Sequence, residues 1–384
     1  MAPRRSWIFV GAVWLVTRAF FFVVGAVGHA WIREADITVE RPPHGALSYW
    51  ANWDGFHFLY IAQHGYENEQ QTSFFPLYPL VLRPLTALGV GAPLAGVLVS
   101  TFATFFAFLF FYELARFLRG ERVARLATVA LAVFPTAFFL NAAYSEAVFL
   151  ALSGGALWAL YAKRDPLNAG LLGYFAALTR SFGVLLVIPV GWEWLRHRKE
   201  YGWTALIGVA APLVGLATYS FYLWRVARQP LLFNIAYERW GRSRKDPVTG
   251  FVRGFHRADD GLQYIAHPGR LFGTSSLNPP FWVSNTVAFG AAVLLIVLLA
   301  AAVTRLPAGL WLYSAAAALL PMSLPNPVLP LVGLPRYAIA VTPLFVVLGI
   351  GLARSRVFAV AWFAASIAFG VLLTLEFVTF RWVA

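Results

Sequence analysis

A short polar stretch after the first apolar run contains the side chains best suited to chemistry. The stretch NWDGFHFLYIAQHGY (52–66) combines one carboxylate, Asp54, with two imidazoles, His57 and His64, among several aromatic rings. A positioned carboxylate or histidine is the usual general base for activating a hydroxyl group. Asp54 is therefore the predicted catalytic residue, with His57 and His64 as second choices for the base and as candidate substrate contacts.

The same stretch also fits a structural role. His57, Ile61 and His64 are spaced by four and three residues, which places them on one face of a short helix. An amphipathic helix at the membrane interface, with Asp54 as its N-cap, would show this pattern. The histidines have no acidic third ligand at a standard spacing, so the sequence does not support a metal site. We predict no cofactor, and metal dependence is left open.

Three arginines could hold an anion. Arg180 and Arg336 lie at the predicted outer ends of apolar runs, where arginine either anchors a helix at the headgroups or binds phosphate with two parallel hydrogen bonds. Arg18 lies midway along the first apolar run, where an ionisable group usually faces a cavity or a partner. Glu113 and Glu376 are the candidate structural partners of Arg18.

Further candidates lie in motifs at the predicted ends of other apolar runs. Glu146, in NAAYSEAVF (141–149), could face a site or stabilise the first turn of a helix. Pro76, in FFPLYPL, is typical of the start of a helix. The other candidate substrate-binding residues are Trp53, Gln63, Tyr66, Phe75, Tyr144 and Tyr337.

Membrane helices must position these residues. The 384 residues are 60% hydrophobic and 12% charged, whereas soluble domains are about 25% charged. The absence of cysteine excludes disulfide and thiol chemistry. The net charge of +13 suits the basic cytoplasmic loops of a membrane protein, and no nucleic-acid motif accompanies it. Nucleic acid is therefore not an expected partner, whereas membrane lipids are.

Eleven apolar runs are candidate spans, because a spanning helix needs about 20 apolar residues. They are 7–29, 91–117, 123–140, 144–162, 167–179, 182–195, 204–226, 282–303, 308–321, 337–353 and 357–380. The short runs 167–179 and 182–195 form either two spans or one span kinked near Arg180. The predicted fold is an all-α polytopic membrane protein with one transmembrane domain over 1–384.

Loop charge predicts the orientation. With the N-terminus inside, every predicted cytoplasmic piece is net positive, whereas the first outer loop, 31–83, has three arginines and six carboxylates. A second outer loop, 227–281, has eight basic and four acidic residues, which a long loop tolerates. Its arginines, beside Trp240 and two phenylalanines, suit an anionic lipid headgroup. These two loops and the Pro-rich segment 322–336 could meet on the outer side.

Several motifs together resemble the PIG-V family, the second mannosyltransferase of glycosylphosphatidylinositol assembly and its bacterial homologues. NWDGFHFLYIAQHGY, FFPLYPL, YSEAVFL, ALTRSFG and LPRY occur in the family's order, and the block 53–80 is the most specific. The resemblance implies a GT-C glycosyltransferase that uses a polyprenyl-phosphate sugar on the non-cytoplasmic side. It also implies that Asp54 is catalytically important. Eukaryotic members tend to have a glutamate at the position of Gln63, so that carboxylate is missing here.

The sequence and the resemblance lead to one functional hypothesis. The protein is expected to move mannose, or a similar hexose, from a polyprenyl-phosphate donor to a lipid-linked or glycolipid acceptor with inversion. Arg180 and Arg336 would stabilise the leaving phosphate and Asp54 would accept the proton. The expected location is a bacterial plasma membrane, with the N-terminus cytoplasmic, short interfacial helices in the first outer loop, and the site on the outer face.

Two other functions fit parts of the same pattern. A transporter or flippase of lipid-linked sugars would use the arginines but need no base, and it would often show two related halves. No such halves are visible in the sequence, which favours an enzyme. A GT-C enzyme that glycosylates protein is the other alternative, because the acceptor depends on hydrogen bonds that the sequence does not place.

Overall fold

The computed structural model describes residues 4–36, 40–273, 275, 277 and 280–383. Within these residues the chain is helical, and the only strand-like pairing is an isolated bridge between Asp36 and Ser275. The all-α prediction is therefore confirmed. The α-helices of the described residues are α1 (Arg4–Trp31), α2 (Asp54–His64), α3 (Leu77–Ala87), α4 (Ala92–Arg119), α5 (Glu121–Ala132), α6 (Glu146–Ala162), α7 (Pro166–Thr179), α8 (Val187–Tyr201), α9 (Leu206–Ala227), α10 (Leu232–Arg239), α11 (Pro247–Phe255), α12 (Leu262–Ala266), α13 (Pro280–Ala302), α14 (Ala308–Met322), α15 (Leu334–Ala338), α16 (Thr342–Arg354) and α17 (Arg356–Val378).

Five helical segments of the described chain are long and apolar enough to cross a membrane, which makes this an integral membrane protein. They contain α1, α4, α9, α13 and α17. The shorter helices α6, α14 and α16 are also apolar. A helix satisfies its own backbone hydrogen bonds, which is why helices suit the bilayer interior. The count of eleven spans stays a prediction.

Two predicted spans are interrupted. The run 123–140 forms α5 only as far as Ala132 and continues as a 3₁₀ helix from Ala137 to Leu140. Pro135 lies in the gap, and a proline disfavours helix at the residue before it. The run 337–353 is divided between α15 and α16, and Pro343 occupies the first turn of α16, where its missing N–H costs no helical hydrogen bond.

The run 167–195 forms two helical segments. Helix α7 ends at Thr179, and Arg180 is extended, with φ −156° and ψ 148°. A 3₁₀ helix, Ser181–Leu186, then leads into α8. A Cβ atom on Gly183 would lie 2.2 Å from the backbone carbon of Ala176, so only glycine permits this tight turn over the end of α7. The turn leaves the Arg180 side chain at the junction.

Arg18 closes the gap after α5. Its Nη2 donates a hydrogen bond to the Ala132 carbonyl (2.9 Å), and its Nη1 donates to the Ala137 carbonyl (2.8 Å) and to Asn141 Oδ1 (2.5 Å). The amide of Asn141 donates back to the Arg18 carbonyl (3.1 Å). Buried carbonyls freed by a helix break need such partners. Arg18 is thus paired with neutral acceptors and not with either of the two glutamates considered from the sequence.

Candidate active site

The turn before α2 is held by distant segments, and this fixes Asp54. The side-chain amide of Asn52 donates to a carbonyl near the end of α17 (2.8 Å), and the Tyr144 hydroxyl donates to the Asn52 carbonyl (2.8 Å). The indole of Trp53 donates to the Arg381 carbonyl (3.1 Å). Both ends of the turn are therefore anchored before the chain enters α2 at Asp54.

Trp53 is held in an unusual backbone conformation. Its φ of 59° and ψ of −121° lie in a region that non-glycine residues rarely adopt. Its ring contacts those of Phe380 (5.4 Å between centroids) and Trp382 (5.1 Å). Phe380 also has a positive φ, 64°. Such strained residues persist where their surroundings over-determine them, and they cluster at functional sites.

Asp54 is not the N-cap that the alternative interpretation proposed. Trp53 occupies that position, and no side-chain capping bond forms there. The Asp54 carboxylate instead accepts a hydrogen bond from Arg336 Nη1 at 2.6 Å. Burial alone would raise the pKa of Asp54, but the charge and hydrogen bond of Arg336 outweigh it and lower that pKa below its ordinary value. Asp54 is therefore ionised at neutral pH.

Arg336 connects Asp54 to a second buried ion pair. Its Nε lies 3.2 Å from Glu146 Oε1, and the same oxygen pairs with Arg180 Nη1. The side chains of Glu146 and Arg336 are only 2% and 8% exposed. Burial would lower the pKa of Arg336, but Asp54 and Glu146 raise it well above its ordinary value. The four side chains form one charged network, as buried charges require partners.

The members of the network sit at breaks and ends of helices. Glu146 is the first residue of α6, where the helix dipole favours a negative charge. Arg180 lies directly after α7, and Arg336 lies in the short helix α15. The Thr136 hydroxyl, in the gap after α5, donates to the Pro335 carbonyl (2.8 Å) and so holds α15 in place. The interruptions of the predicted spans therefore bring the network together.

The network borders a cavity of about 670 Å³, a volume typical of a small-molecule site. His57 lies within its wall, stacked on Phe74 (4.7 Å between centroids) and edge-on to Trp240 (5.5 Å). Burial lowers the pKa of His57, which leaves the ring neutral at pH 7. The predicted site residues that line the cavity are Trp53, Asp54, His57, Phe75, Glu146, Arg180, Arg336 and Tyr337.

Three segments predicted as outer loops meet around this cavity. The indole of Trp240, at the end of α10, donates to the Ser73 hydroxyl (3.2 Å). Shortly after Trp240, the backbone amide of Ser243 donates a hydrogen bond to the Pro325 carbonyl in the Pro-rich segment (3.0 Å). These contacts place Arg242 inside the cavity wall.

Arg242 is the residue that the sequence did not single out. It is one of eight basic residues in its loop, and no local pattern sets it apart. Its Nη2 donates to the Tyr337 hydroxyl (3.3 Å), and its guanidinium lies 5.8 Å from the rings of Tyr237 and Tyr337. Among the described residues, no carboxylate forms an ion pair with it, in contrast to Arg180 and Arg336.

The pKa of Tyr337 reflects the positive charge of this part of the cavity. Burial alone would raise the pKa of its hydroxyl, but Arg242, Arg336 and Arg180 together lower the pKa to about 8. Arg180 also lies over the Tyr337 ring, 5.3 Å from its centroid. Two carboxylates do not fully balance three guanidinium groups, so this wall of the cavity is suited to an anion.

The other predicted site residues lie off the cavity wall. The hydroxyls of Tyr66 and Tyr144 donate hydrogen bonds to backbone carbonyls. Tyr66 donates to the Phe74 carbonyl (2.7 Å) and Tyr144 to that of Asn52. His64 is exposed and lies two turns beyond His57, about 10 Å along α2. The residues in this group are Arg18, Gln63, His64, Tyr66, Pro76 and Tyr144. For these six residues, direct contact with substrate stays a prediction.

The described residues contain no group of three or more histidine, aspartate or glutamate side chains that could hold a metal ion. Both carboxylates of the network already pair with arginine. The residues of the network can bind an anion through arginine and accept a proton through a carboxylate.

The part of the chain that holds most of this charged network is similar to a known family. Residues 34–197 match the family model described as Mannosyltransferase (PIG-V). This segment includes Asp54, Glu146 and Arg180, and it confirms the resemblance seen in the motifs.

Curated relatives agree with the family match. Rat GPI alpha-1,6-mannosyltransferase 2 is 33% identical over 190 residues, covering 47% of this chain and 37% of the rat protein. The human protein of the same name is 31% identical over 188 residues, covering 46% of this chain and 36% of the human protein. The matched part of the chain therefore spans little more than a third of the length of these relatives.

Two solved structures are distantly similar. The archaeal oligosaccharyltransferase AglB from Archaeoglobus fulgidus, in complex with an inhibitory peptide and a dolichol-phosphate, has 11% identity and a TM-score of 0.44 over 97% of this chain and 56% of AglB. ArnT from Cupriavidus metallidurans, bound to undecaprenyl phosphate, has 16% identity and a TM-score of 0.40 over 92% of this chain and 77% of ArnT. At TM-scores below 0.5, the GT-C part of the fold prediction stays a prediction.

Proposed function

We propose that this protein is a membrane mannosyltransferase that moves mannose from a polyprenyl-phosphate donor to a lipid-linked or glycolipid acceptor. The observation that carries the proposal is the network in which Asp54 pairs with Arg336 on the wall of the 670 Å³ cavity. It combines an ionised carboxylate, which can accept a proton, with guanidinium groups, which can hold a phosphate. The relatives' name, a GPI mannosyltransferase, supports mannose as the sugar.

The donor phosphate would bind where the arginines outnumber the carboxylates. Asp54 and Glu146 balance two of the three guanidinium groups of Arg180, Arg242 and Arg336, which leaves one positive charge in this cluster. A sugar phosphodiester carries one negative charge and would balance it. Arg242 is the natural first contact because no carboxylate competes for it among the described residues.

The charge of this cluster would also change together with the charge of the substrate during the reaction. The acceptor oxygen forms a bond to the sugar's anomeric carbon while the bond from that carbon to the phosphate oxygen breaks. The polyprenyl phosphate leaves with the bonding electrons and gains a second negative charge. Asp54 takes the proton of the acceptor hydroxyl, which raises the net charge of the cluster by one at the same time. Fixed charges aimed at developing charge are usually the largest catalytic contribution.

A single displacement of this kind inverts the anomeric configuration, since one base acts and no covalent intermediate forms. Aromatic rings of the cavity wall would hold the sugar, because an aromatic face presents a large apolar surface. The rings available are those of Trp53, Phe74, Trp240 and Trp382. The proposed location of the reaction is the outer face of a bacterial plasma membrane.

The first experiment measures transfer of radiolabelled mannose from polyprenyl-phosphate mannose into a lipid extract. Purified wild-type protein and Asp54→Asn are compared in the same proteoliposomes. The proposal expects labelled glycolipid with wild type and its loss with the variant, and it expects product whose anomeric configuration is opposite to that of the donor. Translocation of intact donor across the bilayer without transfer would instead identify a transporter.

A further inference from the structure

A second cavity opens at the end of the bundle opposite the candidate active site. It is a groove of about 470 Å³ between α13, α16 and the first turns of α17. Helix α13 begins beside the active-site cavity, which Phe281 lines, and Arg305 follows its other end. Arg305 and Arg354 therefore mark the end of the groove that lies away from the active site.

The walls of the groove are apolar and face the surroundings of the bundle. Val297 is 57% exposed and Phe358 is 41% exposed, and α13 and α17 are both long and apolar enough to cross a membrane. From Gly290 to Ala301 the groove follows about 17 Å of helix at 1.5 Å per residue. This is close to half of the roughly 30 Å hydrocarbon core, the depth of one leaflet.

Polar groups occur only toward one end of this apolar groove. Arg305 is held there by a hydrogen bond from its Nη1 to the Ala301 carbonyl (2.6 Å), and Arg354 is exposed. No carboxylate among the described residues pairs with either arginine.

We infer that this groove binds one anionic diacyl phospholipid. Its headgroup phosphate would lie between Arg305 and Arg354, since basic pockets between membrane helices bind anionic headgroups. One acyl chain would fill the apolar groove. The two basic residues lie in pieces of the chain predicted to be cytoplasmic, so the lipid would belong to the inner leaflet. This site is independent of the proposed transferase activity.

The test counts lipids bound to purified full-length protein by native mass spectrometry. The protein is delipidated in detergent and titrated with phosphatidylglycerol or with phosphatidylcholine of the same acyl chains. We expect one phosphatidylglycerol to bind at least about tenfold more tightly than phosphatidylcholine, which corresponds to about 1.4 kcal/mol. Equal binding of the two lipids would overturn the inference.

Variants locate the binding site. Arg305→Gln combined with Arg354→Gln should remove the preference for phosphatidylglycerol. The matched control is Arg198→Gln combined with Lys199→Gln, which removes the same charge from exposed positions of α8 and should leave the preference unchanged. Retention of the preference in the groove variant, or its loss in the control, would contradict the assignment.

A second copy of the chain is the competing occupant of the groove. The chain has no cysteine, so Val297→Cys creates a single thiol on the groove wall. In membranes, this variant should remain monomeric on oxidation if a lipid fills the groove. Efficient disulfide-linked dimers would show that the groove is an interface between copies, and would refute the lipid site.

Discussion

Arg18 and Arg336 are buried to a similar degree, at 2% and 7% exposed, but their surroundings differ. The guanidinium of Arg18 meets backbone carbonyls and Asn141, which are neutral, and it lies away from the cavity. The guanidinium of Arg336 meets the carboxylates of Asp54 and Glu146 on a cavity wall. The two regions use the same side chain for different purposes.

The two arginines also differ in whether a ligand could replace some of their hydrogen-bond partners. The hydrogen bonds of Arg18 close a gap between two helical segments, and no other group in the described chain replaces them there. Arg336 lies beside a space that can admit a ligand, and an anion could share its guanidinium with Asp54. We therefore propose a functional role for Arg336, whose partners are charged and which a cavity adjoins, and a structural role for Arg18.

The largest effect is expected at the acidic partner of Arg336. Asp54→Asn keeps the shape of the side chain but removes the proton acceptor, and general bases contribute about 10²- to 10⁴-fold to rate. We expect transfer of mannose in single-turnover assays to fall by that factor. Asp259→Asn, at an exposed position in the segment 227–281, makes the same chemical change and should retain wild-type turnover. If both variants lost transfer activity to a similar degree, Asp54 would not be the general base.

Arg18→Met should affect stability and not chemistry. It leaves the Ala132 and Ala137 carbonyls without their partner, and an unpaired buried polar group costs about 1–3 kcal/mol. We expect a loss of at least about 2 kcal/mol in the free energy of unfolding, measured by thermal or denaturant unfolding in detergent. The specific activity of the folded fraction should be unchanged. A folded Arg18→Met protein that fails to bind donor would place Arg18 in the site after all.

Arg242→Gln should weaken donor binding more than it slows the chemical step. A hydrogen bond to a charged group contributes about 1.5–3 kcal/mol, which corresponds to a rise of roughly 10- to 150-fold in the KM for the polyprenyl-phosphate donor. The control is Arg244→Gln, an exposed neighbour in the same loop, for which we expect a KM close to wild type. A loss confined to kcat would mean that Arg242 does not hold the ground-state donor.

The smallest effect concerns pH. Because the pKa of Tyr337 is lowered to about 8, its hydroxyl is neutral below that pH and becomes a phenolate above it. The added negative charge would repel the donor phosphate, so the donor KM should rise severalfold as the pH increases through about 8. Tyr337→Phe cannot ionise, and its KM should lack this rise. An identical pH profile in both proteins would assign the change to another group.

The interruptions of the predicted spans were the main departure from the sequence-based fold. Pro135 and Pro343 were visible, but their effect depends on whether neighbours can satisfy the freed backbone groups. Arg18, far along the chain from α5, supplies those hydrogen bonds. The sequence could therefore place the prolines but could not show that the helix would stop at Ala132.

The sequence by itself determined the class of protein and the positions of most helices, and it singled out the Asp54 block as the candidate site. These follow from composition, from runs of apolar residues and from contiguous motifs, which are properties of neighbouring residues. The tertiary structure alone decided which charges meet. Asp54 and Arg336 are separated by 282 positions, and Arg242 differs from its basic neighbours only by reaching the cavity. Such pairings depend on how helices pack, and local sequence patterns do not show which residues far apart in the chain come into contact.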